Sequence, residues 1–260
     1  MTIDDEMEMY FTASLLSSYK RKVERAAQTI QDALKIPGGW MISYSSGKDS
    51  TVLLDILCKS GWKGLGYHAV CSKYEDPAEN IALSKKSSEK YGVDISVVKS
   101  FGEYDAWKAA GYFFTTPETP EEKRLARLAN SDFKQKRREF MQSNNIRNYF
   151  LGLTKAESRG RKISLSSRGN TYQLKTGEWV CCPLADWTPR EIWAYIVSNG
   201  LEYLSVYDTP GFSREQLRNE LTVMYTSGLV RHGIMLQYKM SYPALFCSLK
   251  KEFPEAGLYA

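Results

Sequence analysis

The stretch Ser43-Tyr44-Ser45-Ser46-Gly47-Lys48-Asp49-Ser50 decides how this 260-residue chain is read. Before it, Trp40-Met41-Ile42-Ser43 is a short apolar run after Pro37-Gly38-Gly39 and predicts a buried strand. After it, residues 51–57 predict a helix. Small residues between a strand and a helix let the backbone turn tightly, so several N–H groups and the helix N-terminus face one anion. Ser45, Ser46 and Ser50 add hydroxyl donors, and Lys48 adds a full positive charge. The assembly suits a phosphate or pyrophosphate. A serine-rich loop capping an ordinary helix is the plainer alternative, but strand, loop, lysine and helix in register weigh against it. A Walker A loop needs glycine five positions before the Gly-Lys pair. Position 42 is Ile, which removes the common kinase and GTPase reading.

Working outward, residues 64–70 predict a second strand, 77–91 a helix, 95–98 a third strand and 149–151 a fourth. Strands alternating with helices across short connections imply a mostly parallel sheet covered on both faces, an α/β, Rossmann-like fold. A helical pattern over residues 5–33 precedes it, and a long charged helix fills 121–143. Residues 163–165 and 171–174 flank Ser167-Arg168-Gly169-Asn170, which predicts a hairpin turn. Thr188-Pro189-Arg190-Glu191 is a capping box with proline at the first helical position, and Ser213 with Gln216 repeats the box. The expected organisation is a helical extension over 1–36, a nucleotide-binding α/β domain over 37–210 and a helical extension over 211–260.

Composition narrows the function classes. The chain is 43% hydrophobic and 25% charged, which excludes collagen-like and broadly disordered readings. Its formal charge of +5 favours anionic ligands only weakly. The first ten residues hold four acidic side chains and no basic one, unlike a secretory signal. No window nears the roughly 18 apolar residues of a membrane span. Five cysteines without a C-x-x-C pair predict neither a disulfide framework, nor zinc, nor an iron–sulfur cluster, and so a cytoplasmic protein. Residues 121–140 carry seven basic and four acidic side chains, with only Phe133 and Phe140 to stack on bases. A solvated helix face is favoured there over a nucleic-acid surface.

The order Ser-x-Gly-Lys-Asp-Ser resembles the PP-loop of the ATP pyrophosphatase superfamily, with Ser46 where the usual loop has its first glycine. Two later segments extend the likeness. Gly152-Leu153-Thr154-Lys155-Ala156-Glu157-Ser158-Arg159-Gly160-Arg161 resembles the Gly-x-Arg-Arg-x-x-Ser-x-x-Arg stretch of phosphoadenylylsulfate (PAPS) reductases. Pro183-Leu184-Ala185-Asp186-Trp187-Thr188 resembles a further segment of the same family. The chain is identified as a member of the PAPS reductase-like branch of the adenine nucleotide α-hydrolases, also related to the ATP sulfurylase small subunit. The resemblance implies that Ser43, Ser45, Ser46, Gly47, Lys48, Asp49 and Ser50 bind ATP phosphates, with Asp49 holding Lys48 or a Mg²⁺ ion. Gly152, Arg159 and Arg161 then face the nucleotide, Arg161 at its phosphate or sulfate end, and Lys48 and Arg161 carry the catalysis. His68 stands near the nucleotide in the family and is a candidate contact.

The family pattern also breaks. PAPS reductases use a cysteine in a C-terminal Glu-Cys-Gly-x-His segment. Here the last cysteine lies in Leu245-Phe246-Cys247-Ser248, with no cation or helix start to activate it. Thr154 and Lys155 replace two arginines. The complete Gly-Lys-Asp-Ser points to ATP over PAPS or adenylyl sulfate. The leading expectation is therefore transfer of AMP from ATP to an acceptor, with pyrophosphate released. One alternative is a sulfonucleotide-binding protein whose partner protein supplies the thiol. Another is a nucleotide-binding regulator working with a DNA-binding partner. The partners expected are an adenine nucleotide, an acceptor substrate and a second copy of the chain in a homodimer.

Overall fold

Apolar periodicity in short bursts yields short elements, and the computed structural model describes them for residues 3–260 except 220, 222 and 225. In chain order they are α1 (Ile3–Ser14), α2 (Ser17–Leu34), β1 (Trp40–Ser43), α3 (Lys48–Lys59), β2 (Leu65–Val70), α4 (Ala78–Tyr91), β3 (Ile95–Lys99) and α5 (Glu103–Ala110). There follow α6 (Pro120–Ser143), β4 (Asn148–Leu151), α7 (Arg159–Arg168), β5 (Thr171–Gln173), β6 (Trp179–Cys181), α8 (Pro189–Ser198), α9 (Gly228–Ser241) and α10 (Pro243–Glu252). The described residues fall into two compact units. One takes in the chain up to 68 with 83–96 and 141–203, the other 69–82, 97–140 and 204–260.

The first unit is built on the sheet, whose strand order is β3-β2-β1-β4-β6-β5. β1 pairs in parallel with β2 and β4, β4 in parallel with β6, and β5 runs antiparallel to β6. Central β1 buries Met41 and Ile42 completely, as a strand covered on both faces must. α3 buries Val52, Leu53, Leu54, Ile56 and Leu57, so nearly its whole circumference faces protein. α1 packs on α8 through Tyr10 stacked on Trp193, their ring centroids 6.0 Å apart. This is the expected α/β, Rossmann-like architecture.

Three local expectations differ from the structure. The single helix over 5–33 breaks at Leu15-Leu16, with Leu16 extended at φ −64° and ψ 135°. Ser14 turns its hydroxyl back onto the Phe11 carbonyl at 2.6 Å, a local bond that competes with helix continuation. Residues 163–165 lie inside α7, not in a strand. Ser158 caps that helix by accepting from the Arg161 N–H, and Gly169 at φ +81° ends it. The hairpin instead joins β5 to β6, closed by the Leu174 N–H on the Glu178 carbonyl. The box at Thr188 starts α8 as expected, whereas Ser213 and Gln216 close only a turn and α9 begins at Gly228.

The second unit has an aromatic core. Trp107 on α5 is fully buried, donates its indole N–H to the Phe114 carbonyl at 2.7 Å, and packs against Phe113 and Phe253. Glu75 ties down the start of α5 by accepting from the Glu103 and Tyr104 N–H groups. Glu103 in turn accepts from the Val223 and Met224 N–H groups.

Candidate functional site

β1 and β4 lie side by side in parallel, with Ser43 opposite Leu151, so the loops that follow them leave the same sheet edge. Strand order runs outward in both directions from this pair. A crevice outside the carboxyl ends at such a reversal is where open α/β sheets bind ligands. Half-buried Ser43 ends β1, and Gly47 caps α3, whose first residue is Lys48. The Ser45 N–H donates to Ser50 Oγ at 3.3 Å, and Ser50 Oγ donates to the Gly47 carbonyl at 2.9 Å. These two serines therefore hold the loop closed at the N-terminus of α3, the positive end of the helix dipole. Lys48 is only 8% exposed, and its Nζ meets Asp49 Oδ2 at 2.9 Å. Burial pushes the Asp49 carboxyl upward. The Lys48 ammonium opposes that push and the Glu157 carboxylate adds to it.

Gly152 explains itself by contact. A β-carbon there would stand 2.9 Å from the Asp49 carbonyl carbon and 3.0 Å from the Ser50 nitrogen. The end of β4 thus lies directly against the first turn of α3, and only glycine allows the approach. Arg159 opens α7 and is exposed. Arg161, one turn in, is ion-paired to Glu157. Lys155 replaces a family arginine and reaches Asp186 Oδ1 at 2.6 Å, which ties the stretch to the segment before α8.

His68 lies under the loop. It is 1% exposed, its Nδ1 is 2.6 Å from Ser84 Oγ, and Ser84 Oγ is 3.0 Å from Ser46 Oγ. Burial pushes the imidazole down to about 4, so it is neutral at pH 7. The structure therefore gathers the 43–50 loop, Gly152 and His68 with residues that sequence reasoning missed. Ser84 and Ser87 of α4 are among these, and Tyr44 and Glu157, quoted in the motifs but given no role there, join them. The two α4 serines recur three apart, but nothing in that spacing says which helix face is buried. Cys181 and Cys182 are fully buried, and burial pushes both thiols up to about 12. Cys247, whose apolar neighbours Leu245 and Phe246 predict a core position, is instead exposed on α10.

A mostly parallel sheet with a Ser-x-Gly-Lys-Asp-Ser loop at its strand reversal places the chain in the PP-loop adenine nucleotide α-hydrolase class. Within that class the chain belongs to the phosphoadenosine phosphosulfate reductase domain family, whose model matches residues 39–214. It is similar to the phosphoadenosine 5'-phosphosulfate reductase of Xanthomonas campestris pv. campestris (strain B100), 30% identical over 66 residues, 25% of this chain and 24% of that protein. The match thus spans about a quarter of that relative. A PAPS reductase from Candida auris, solved with phosphate, is similar in fold at TM-score 0.52 and 14% identity. That alignment covers 80% of this chain and 92% of the other. The U34-tRNA thiolase NcsA from Methanococcus maripaludis is similar at TM-score 0.52 and 14% identity, covering 92% of this chain and 75% of that one.

NcsA corrects one expectation. It carries a [4Fe–4S] cluster, which overturns the expectation, drawn from the cysteine spacing, of no iron–sulfur cluster with this fold. Among the described residues of this chain, no three His, Cys, Asp or Glu side chains stand where they could hold a metal. No helix among the described residues is long and apolar enough to cross a membrane.

Proposed function

We propose that the chain binds ATP with the β- and γ-phosphates on the 43–50 loop and transfers AMP to an acceptor. An acceptor oxygen or nitrogen forms a bond to the α-phosphorus. The bond from that phosphorus to the bridging oxygen breaks, pyrophosphate leaves with the electron pair, and a proton passes to solvent only where the attacking atom carries one. The observation that carries this reading is Lys48, withdrawn from water at the N-terminus of α3 in an intact Gly-Lys-Asp-Ser sequence. Charge developing on a leaving pyrophosphate is stabilised most by a cation and amides already in position. Asp49 orients the Lys48 ammonium, Gly152 lets β4 close on the loop, and Arg161 reaches the α-phosphate with Arg159 at the rim. Five free cysteines suit a reducing cytoplasm.

Pyrophosphate release tests the proposal. The chain is incubated with ATP and, separately, sulfate, a flavin phosphate or a nucleic-acid base as acceptor, and pyrophosphate and adenylylated product are quantified. Release that depends on one acceptor supports the reading. Binding of PAPS without ATP binding or pyrophosphate release overturns it in favour of a second reading, which the family match to residues 39–214 favours. In that case a sulfonucleotide occupies the same loop and a partner protein supplies the thiol. Turnover that survives Cys247→Ser would place the thiol outside Cys247.

A further inference from the structure

Position 46 departs from the Gly-Gly form of the loop, and the backbone shows what that demands. Ser46 has φ +60°, in the left-handed region where a β-carbon is disfavoured relative to glycine. Its side chain is fully buried, so its hydroxyl faces the protein and not solvent. Ser46 Oγ lies 3.0 Å from Ser84 Oγ on α4, and Ser84, itself 1% exposed, lies 2.6 Å from His68 Nδ1. One turn further along α4, buried Ser87 meets the Tyr44 hydroxyl at 2.9 Å. A single face of α4 therefore grips the loop at residues 44 and 46 from beneath.

The orientation of the protons follows from an orphan atom. His68 Nε2 is buried and has no hydrogen-bond partner among the described residues. A stranded N–H there would cost more than a stranded lone pair, so the hydrogen sits on Nδ1 and is donated to Ser84 Oγ. The Ser84 hydrogen is then free to be donated to Ser46. Burial keeps the imidazole neutral, and so able to hold this one arrangement, across the physiological range.

We propose that the His68–Ser84–Ser46 chain is a positioning device for the phosphate loop. It holds Ser46 in the left-handed conformation that glycine adopts unaided, and so sets the direction of the amides at 46–48 that meet the anion. His68 then acts through Ser84, not by touching the nucleotide. The consequence for binding rests on the ATP reading above; the conformational role does not.

A double-mutant cycle on the full chain tests it, with Ser84→Ala made in the wild-type and in the Ser46→Gly background. In the wild-type background, Ser84→Ala should speed hydrogen exchange of the 46–48 amides about tenfold and weaken ATP binding by a similar factor. It should also lower the melting temperature by roughly 2–4 °C. In the Ser46→Gly background the same change should move all three far less, because glycine needs no restraint. His68→Asn, which keeps a donor against Ser84, should lose less than His68→Ala. Equal losses from Ser84→Ala in both backgrounds overturn the proposal and leave Ser84 a packing residue. If wild-type chain binds neither ATP nor pyrophosphate, the functional reading fails, while exchange and melting of the unliganded variants still decide the positioning role.

Discussion

Replacing Gly152 by alanine adds one carbon at the end of β4, and the structure says what that carbon meets. The new β-carbon would lie 2.9 Å from the Asp49 carbonyl carbon, 3.0 Å from the Asp49 oxygen and 3.0 Å from the Ser50 nitrogen. All three are backbone atoms in the first turn of α3, so no side chain can rotate aside. Ordinary carbon contacts begin near about 3.5 Å, so β4 and the helix start must part by roughly half an ångström. Overpacking of this kind costs about 1–3 kcal/mol, or roughly 2–10 °C in melting temperature for a chain of this length. The displaced groups are the loop itself, so ATP affinity should fall about tenfold as well. Gly160, eight residues on, is the control. Nothing lies within 4 Å of a β-carbon there, and it sits on an exposed turn of α7. Gly160→Ala should leave melting unchanged or raise it, since alanine exceeds glycine in a helix by up to about 1 kcal/mol. Thermal unfolding and calorimetric titration of both variants decide the matter. If Gly152→Ala melts and binds like the wild type, the close approach of β4 to α3 is not what the glycine serves.

Lys48→Ala should weaken ATP binding by about 10- to 100-fold and AMP binding little, because the proposed reading sets the ammonium against the pyrophosphate part; equal losses in a titration of both ligands would sink that role. Arg161→Lys should cut turnover about tenfold or more with ATP affinity nearly unchanged, because a lysine cannot reproduce a two-oxygen fork on the α-phosphate. Steady-state kinetics that keep full turnover would make the 152–161 stretch structural only. The second unit predicts a pH effect. Burial pushes the Glu75 carboxyl from its ordinary 4.5 up to about 7, outweighing the Glu103 and Tyr104 N–H groups that bind it. Between those values the folded chain holds a proton that the unfolded chain has lost, so Glu75's contribution is complete below pH 4.5 and is lost as pH rises through 7. Denaturant unfolding across that window should show stability falling in the wild type and falling less steeply in Glu75→Gln; parallel curves would refute the assignment.

Local signals were legible in the sequence because they are complete within a few residues. Strand, small-residue loop, lysine and helix at 40–59 need only their own order to be read, and β1 and α3 stand where that order puts them. The box at Thr188–Glu191 likewise closes on itself, the Thr188 N–H donating to Glu191 Oε2 at 2.8 Å. Yet Ser213 and Gln216 form the same kind of box and start no helix, and Ile163-Ser164-Leu165 fits a strand or a helix equally well. Short apolar runs carry no period, so packing and caps make the choice. Eight-residue α5 is likewise too brief to announce itself, and its place depends on Glu75 capping it from another part of the chain. That residues 69–82, 97–140 and 204–260 gather into one unit is a fact of long-range burial, which no local window contains. The difference between Gly152 and Gly160 is of the same kind. Both are glycines in one motif, and only the distance from a missing β-carbon to the backbone of Asp49 and Ser50 separates a required glycine from a replaceable one. Ser84 is the plainest case: an ordinary serine on a polar helix by sequence, it becomes a partner of the 43–50 loop because α4 turns it, fully buried, between Ser46 and His68.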